Sequence, residues 1–267
     1  MSAGDVLRLT APAFEASANA SPLLWLVNIC WPACGFCHAL EADWSRLARR
    51  LKHEAVVATY NVGSEAQLPA VLGEANVTPT IRAMVPQPAL STGGATTFKH
   101  VDYHGTRQFG DLLRFALGLM PSYTIRVPSV ERFEELERQP STPKLLCFLG
   151  IEPAVATPPL LRALSATFQH RILFLEVRVH ESEPVGSAIA ARYGVSALPS
   201  FMGLRASGEP EPWRHKGAPT FRRLREFAAS LLAANGGNAD PDALANRHDH
   251  QGQAATTFRS TADKVEL

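Results

Sequence analysis

Two cysteines three positions apart, Cys34 and Cys37, lie in the run Trp31-Pro32-Ala33-Cys34-Gly35-Phe36-Cys37-His38. An apolar, strand-like stretch, Leu23 to Cys30, ends just before them, and a helical pattern begins just after. A Cys-x-x-Cys pair at a strand-to-helix junction is the arrangement that thiol–disulfide exchange needs. The first sulfur sits where unpaired backbone N–H groups and the helix dipole favour a thiolate, the nucleophilic form. The second follows one helical turn on, close enough to attack a mixed disulfide and release its partner. With His38 the run also reads Cys-x-x-Cys-His, the attachment pattern of c-type haem. A preceding strand and continued strand–helix alternation are the wrong surroundings for haem. Structural zinc usually takes four ligands in two pairs, and Cys30 and Cys147 do not make a second pair. Two inert, buried thiols are the plainest alternative. Position at a helix start argues against that for Cys34, so dithiol redox chemistry is the expectation, with no cofactor and no metal.

The elements that would position the pair run through 267 residues, enough for two domains that each bury a core. The hydrophobic share of 46% and charged share of 19% are globular values, and a net charge of +1 leaves no basic footprint for nucleic acid. No apolar run is long enough to span a bilayer, so no membrane insertion is expected. Four cysteines are too few for a disulfide scaffold. The first half reads strand Val6–Leu9, helix Ala13–Ala18, strand Leu23–Cys30, helix Cys34–Lys52 and strand Val56–Val62. A short helix Glu65–Gly73, strands Thr80–Val85 and Phe98–Tyr103, and helix Arg107–Leu119 follow. Pro121 marks the boundary. The second half repeats this order: strand Tyr123–Val127, helix Val130–Arg138, strand Leu145–Leu149, helix Pro158–His170, strand Ile172–Val179 and helix Val185–Tyr193. It then closes with a strand through Leu204, strand Trp213–Lys216 and helix Pro219–Ala234. The expected organisation is α/β, with domains at 1–120 and 121–234 and a tail from 235 to 267.

Cys34-Gly35-Phe36-Cys37, Pro79 before a strand, Tyr103-His104-Gly105-Thr106-Arg107, and Tyr193-Gly194-Val195-Ser196-Ala197-Leu198-Pro199 together resemble the protein disulfide isomerase family. The resemblance implies two tandem thioredoxin-like domains, the second redox-inactive because no Cys-x-x-Cys follows Leu145–Leu149. It also implies that Cys34 attacks and Cys37 resolves, and that Pro79 is a cis-proline facing them. Thr78, Gly35 and Phe36 would then bind substrate, and Arg107 would support the second thiolate. Cysteine-bearing client polypeptides would be the substrates, with glutathione or a thiol oxidase as redox partner. Four departures stand out. Ala33 replaces a tryptophan, Phe36 replaces a histidine that stabilises the thiolate, and Asn28 replaces a buried acid that takes protons from the second cysteine. Val77 also lies closer to the proline than is usual. Without the histidine, the disulfide is expected to be a weaker oxidant than a Gly-His centre.

Cys30 and Cys147 fall in apolar strands and read as small core residues, with a regulatory pairing of Cys30 and Cys34 as the alternative. Asn19-Ala20-Ser21 and Asn76-Val77-Thr78 match glycosylation sequons but are each followed by proline, so neither is expected to be modified. The polar tail shows no apolar period and is expected to be disordered. It ends in Lys264-Val265-Glu266-Leu267, which resembles an endoplasmic-reticulum retrieval signal and implies a retrieval receptor as partner. Residues 1–5 carry no basic or apolar leader. The expectation is therefore a mature lumenal chain whose Met1 was added.

Overall fold

The computed structural model describes residues 6–8, 10–63, 68–87, 96–140, 142–205 and 212–236. The retrieval-like tetrapeptide and nearly all of the tail lie outside them. In the first half, β1 (Leu7–Arg8), α1 (Ala11–Asn19), β2 (Trp25–Cys30), α2 (Gly35–Arg50) and β3 (Val56–Asn61) precede β4 (Thr80–Pro86), β5 (Phe98–Asp102) and α3 (Phe109–Leu119). The second half holds β6 (Thr124–Arg126), α4 (Val130–Arg138), β7 (Lys144–Leu149), α5 (Pro159–Thr167) and β8 (Leu173–Arg178). It ends with α6 (Pro184–Arg192), β9 (Ser200–Leu204), β10 (Trp213–Arg214) and α7 (Phe221–Ala233).

Each half forms a five-stranded sheet. The first has the order β1-β3-β2-β4-β5, with β1, β3 and β2 parallel and β4 and β5 antiparallel. The second runs β6-β8-β7-β9-β10 with matching directions. Two thioredoxin-like sheets in tandem are therefore present, as the resemblance implies. The central strands β2 and β7 are buried along their whole length, which explains their unbroken apolar reading. Alternation along β2 divides the core. Trp25, Val27 and Ile29 meet Phe14 of α1 on one face, and Leu24 and Leu26 meet Leu40, Trp44 and Leu47 of α2 on the other. The Trp44 indole N–H donates to the Ala58 carbonyl at 3.2 Å, so its polar atom is satisfied inside that layer.

One expected element shrinks. Of the helix expected over Glu65–Gly73, residues 65–67 lie outside the described residues, and residues 68–73 hold a single 3₁₀ turn, Ala70–Leu72. Pro69 immediately precedes it and lacks the N–H that a longer helix would use, and Gly73, at φ +68°, turns the chain away. A second glycine is fixed by close approach. A Cβ on Gly186 would lie 1.5 Å from the Arg178 carbonyl oxygen, so only glycine lets α6 cross β8 there.

The second sheet also buries a charged pair in β8, where charged residues in the strand pattern suggest exposure. Glu176 is fully buried; it accepts from Arg178 Nε at 2.6 Å and from Thr157 Oγ1 at 2.6 Å. Arg178 in turn donates to the carbonyls of Glu152 and Val155, and Arg126 donates to that of Pro153 at 2.8 Å. The connection between β7 and α5 is thereby held down on the sheet. Removing one partner leaves a buried charge uncompensated, so Glu176→Ala should destabilise the protein by about 3–5 kcal/mol. Urea denaturation followed by circular dichroism measures this, and a loss below about 1 kcal/mol would show that the pair is not desolvated as described.

Candidate active site

Cys34 occupies the N-cap of α2 with extended backbone (φ −81°, ψ 112°). It is half-buried, while Cys37 in the first helical turn is buried. Both are free thiols. The Cys34 sulfur lies 3.9 Å from the Thr78 carbonyl oxygen, and the Thr78–Pro79 peptide is cis. The structure thus brings Cys34, Cys37, Thr78 and Pro79 together, although Val77 stands close to the proline. Gly35 and Phe36 project from the same turn. Phe36 is 71% exposed, and a side chain at Gly35 would meet nothing within 4 Å. Arg107 is exposed on the β5–α3 connection, and it is not among the groups that hydrogen-bond either thiol.

The two thiols are electrostatically unlike. The Cys37 thiol hydrogen-bonds the Cys34 sulfur, and the N–H groups of Cys37 and Phe36 face that sulfur, although no full side-chain cap bond forms. These donors hold the Cys34 thiol below its ordinary range and make up for part of what the missing histidine would supply. Burial pushes Cys37 up, and donation to Cys34 adds to the rise. A low-pKa thiol at the surface backed by a high-pKa thiol beneath it is the electrostatic order that attack and resolution require. His38 turns away, its Nε2 2.9 Å from the Pro32 carbonyl and its Nδ1 3.7 Å from Glu41.

Several positions escaped the sequence reading. Arg82 on β4 makes a two-pronged ion pair with Asp102, directly across the ladder on β5, at 2.6 and 2.8 Å. It also donates to the Leu72 carbonyl. The pair raises the Arg82 pKa and lowers that of Asp102. This one guanidinium ties the start of the 73–79 connection, which carries Thr78 and Pro79, to the β4–β5 ladder. Cys30 belongs to the site as well. Asn28 and Cys30 share the α2 face of β2, and the Cys30 thiol donates to Asn28 Oδ1 at 3.0 Å and hydrogen-bonds Cys37. Strand parity could have signalled this, because residues 24, 26, 28 and 30 alternate onto one face. In the second sheet the matching position after β7 holds no cysteine. Cys147 is fully buried, and burial followed by the nearby Glu176 charge raises its pKa far beyond reach. The Leu198–Pro199 peptide there is also cis, with Leu198 exposed beside Gly150.

These shifts predict the order of alkylation in the reduced protein. Cys34, with its lowered pKa, keeps its thiolate to lower pH, whereas Cys37 and Cys30 stay protonated until higher pH. At pH 7 iodoacetamide should modify Cys34 at least about tenfold faster than Cys37. Peptide mapping checks this, and equal rates would remove the asymmetry.

No family model matches the chain. Among curated proteins, protein disulfide-isomerase like 2-2 of Arabidopsis thaliana is 24% identical over 282 aligned positions, covering 97% of this chain and 62% of the relative. Protein disulfide-isomerase A6 of Mus musculus is 32% identical over 106 positions, or 40% of this chain and 22% of the relative. A crystal structure of ERdj5, form II, overlays 86% of this chain and 30% of its own at 18% identity and a TM-score of 0.47. The chain spans about half the length of the curated relatives it matches. The Arabidopsis match runs through both sheets and is not confined to the dithiol, so along nearly its whole length the chain is similar to a protein disulfide-isomerase.

Proposed function

We propose that the chain is a thiol–disulfide oxidoreductase or isomerase acting on the cysteines of client polypeptides. The observation that carries this reading is the pairing of an accessible, thiolate-favoured Cys34 with a buried, protonated Cys37 beside the Thr78 carbonyl. The Cys34 thiolate attacks a client disulfide, forming a mixed disulfide and expelling the other client sulfur as a thiolate. Cys37 then loses its proton and attacks Cys34, which closes the Cys34–Cys37 disulfide and releases the second client thiolate. The reverse sequence oxidises a client dithiol. Thr78, next to Pro79, offers its backbone to an extended client segment, with Gly35 and Phe36 flanking it. Arg107 supplies positive charge toward the second thiolate once the client is bound.

Trp31, Phe36 and Val77 are 54%, 71% and 69% exposed around Cys34. Apolar side chains so placed suit unfolded polypeptide better than a small polar thiol. In the second domain, 121–234, Val155 and Leu198 stand exposed on the connections that follow β7 and precede β9, and there they hold client without thiol chemistry. A slower, client-holding role is supported by one further feature: Asn28 accepts a hydrogen bond where an acid would take a proton. The chain works in the lumen of the endoplasmic reticulum, with glutathione or a thiol oxidase as its redox partner. Lys264, Val265, Glu266 and Leu267 serve as the signal for its retrieval receptor.

Insulin reduction tests the reading. The native chain should accelerate precipitation of the insulin B chain, and Cys34→Ser should return it to background. Acceleration that survives this substitution would reject Cys34 as nucleophile. Phe36→Ser should raise the KM for insulin about tenfold, the order expected from losing one substantial apolar contact, while cleavage of a small aromatic disulfide stays within about twofold. Location is tested separately. In cells expressing a form directed into the secretory pathway, deletion of Lys264–Leu267 should turn retention into secretion, and equal retention would make the tetrapeptide a chance ending.

A further inference from the structure

Cys30 is a nucleophilic group that the two-thiol cycle does not use. It ends β2, is 3% exposed, and donates to Asn28 Oδ1 at 3.0 Å. The Cys37 thiol lies within hydrogen-bonding reach of both Cys30 and Cys34, whereas Cys30 and Cys34 sense each other only through charge. Cys37 is therefore the middle sulfur of three. Cys30, Cys37 and Asn28 also line one small cavity of about 160 Å³, whose wall includes His38 and Glu41. A polar space of this size gives the Cys30 sulfur room to move and a route for its proton.

We propose that Cys30 is a third redox thiol, which takes Cys37 out of the Cys34–Cys37 disulfide and sets Cys34 free. The inference rests on the dithiol reading above. The starting disulfide comes from oxidised glutathione or a client disulfide. The Cys30 thiol loses its proton to solvent through the cavity, and its sulfur attacks the Cys37 sulfur. The Cys30–Cys37 bond forms as the Cys34–Cys37 bond breaks, and the bonding pair leaves on Cys34 as a thiolate. One S–S bond replaces another, so no oxidant is consumed. The direction follows from where negative charge is best held. Cys34 keeps the helix N-terminus and the N–H groups of Phe36 and Cys37, whereas Cys30 is buried. Asn28 orients the Cys30 proton but cannot accept it, so the exchange is slower than client attack. An oxidised chain then still presents a nucleophile at Cys34, which can open a wrongly paired client disulfide without prior reduction.

The test is oxidation of the full chain by glutathione disulfide, followed by acid quenching, alkylation in denaturant and mass spectrometry. Serine is a favoured N-cap residue, so Cys34→Ser leaves the start of α2 intact. That variant should lose two thiols to an internal bond, and Cys30→Ser/Cys34→Ser should lose none except to glutathione adducts. In the native oxidised chain, fragmentation should find the alkyl label on Cys34 in most molecules. A Cys34→Ser variant that keeps its thiols or only takes up glutathione overturns the proposal, as does a native chain labelled on Cys30 and not on Cys34, beside the Cys147 label expected in every case. Cys30→Ala must still close the Cys34–Cys37 bond. If neither it nor the native chain closes any bond, the dithiol reading fails and not merely the relay.

Discussion

The apolar stripe of α2, formed by Leu40, Trp44, Leu47 and Leu51, is buried against the first sheet, and the Trp44 indole is bonded to the Ala58 carbonyl on β3. This contact fixes how the helix lies across β2 and β3. With the helix held there, the N–H groups of Phe36 and Cys37 in its first turn face the Cys34 sulfur, which lies 3.9 Å from the Thr78 carbonyl. The lowered pKa of Cys34, the burial of Cys37 and the meeting of Cys37 with Cys30 all follow from that placement. A looser helix would keep the same residues and lose their chemistry, since each pKa shift at the site depends on ångström-scale approach.

The two halves use one layout for different ends. In both, a central parallel strand runs out beneath a connection that faces a cis X–Pro peptide. In the first half this connection ends in a thiol at a helix N-terminus. In the second it is pinned through Glu176, Arg178 and Arg126, and Leu198 rests against Gly150. Buried charge there holds down a surface connection, where the first half places its thiols.

Much of this was legible in the sequence. Apolar runs and helical spacing located every strand and helix of the described residues to within a few positions, because the central strands are buried on both faces and the helices on one. The dithiol was legible because its spacing places it at a strand end and a helix start, and the facing proline loop because of the family resemblance. The rest was not, for physical reasons. Arg82 and Asp102 are twenty positions apart and meet only through the register of β4 on β5. Glu176 and Arg178 sit in a strand whose pattern suggests exposed charge, and only three-dimensional pairing makes their burial tolerable. Pro69 and Gly73 cut short a helix that composition suggested. Cys30 read as core filler: strand parity puts it on the α2 face, but only the packed helix shows that Cys37 lies over it.

The Arg82 guanidinium holds Asp102 across the sheet and the Leu72 carbonyl at the head of the loop, so the backbone offered beside Cys34 is already ordered before anything docks. Conformational entropy lost on docking then falls almost wholly on the incoming chain. A segment that is already extended and mobile loses little, whereas one packed in a folded protein must first be released. For the proposed function, selectivity for incompletely folded polypeptide would thus arise from the stiffness of the template and need no recognition of a particular sequence.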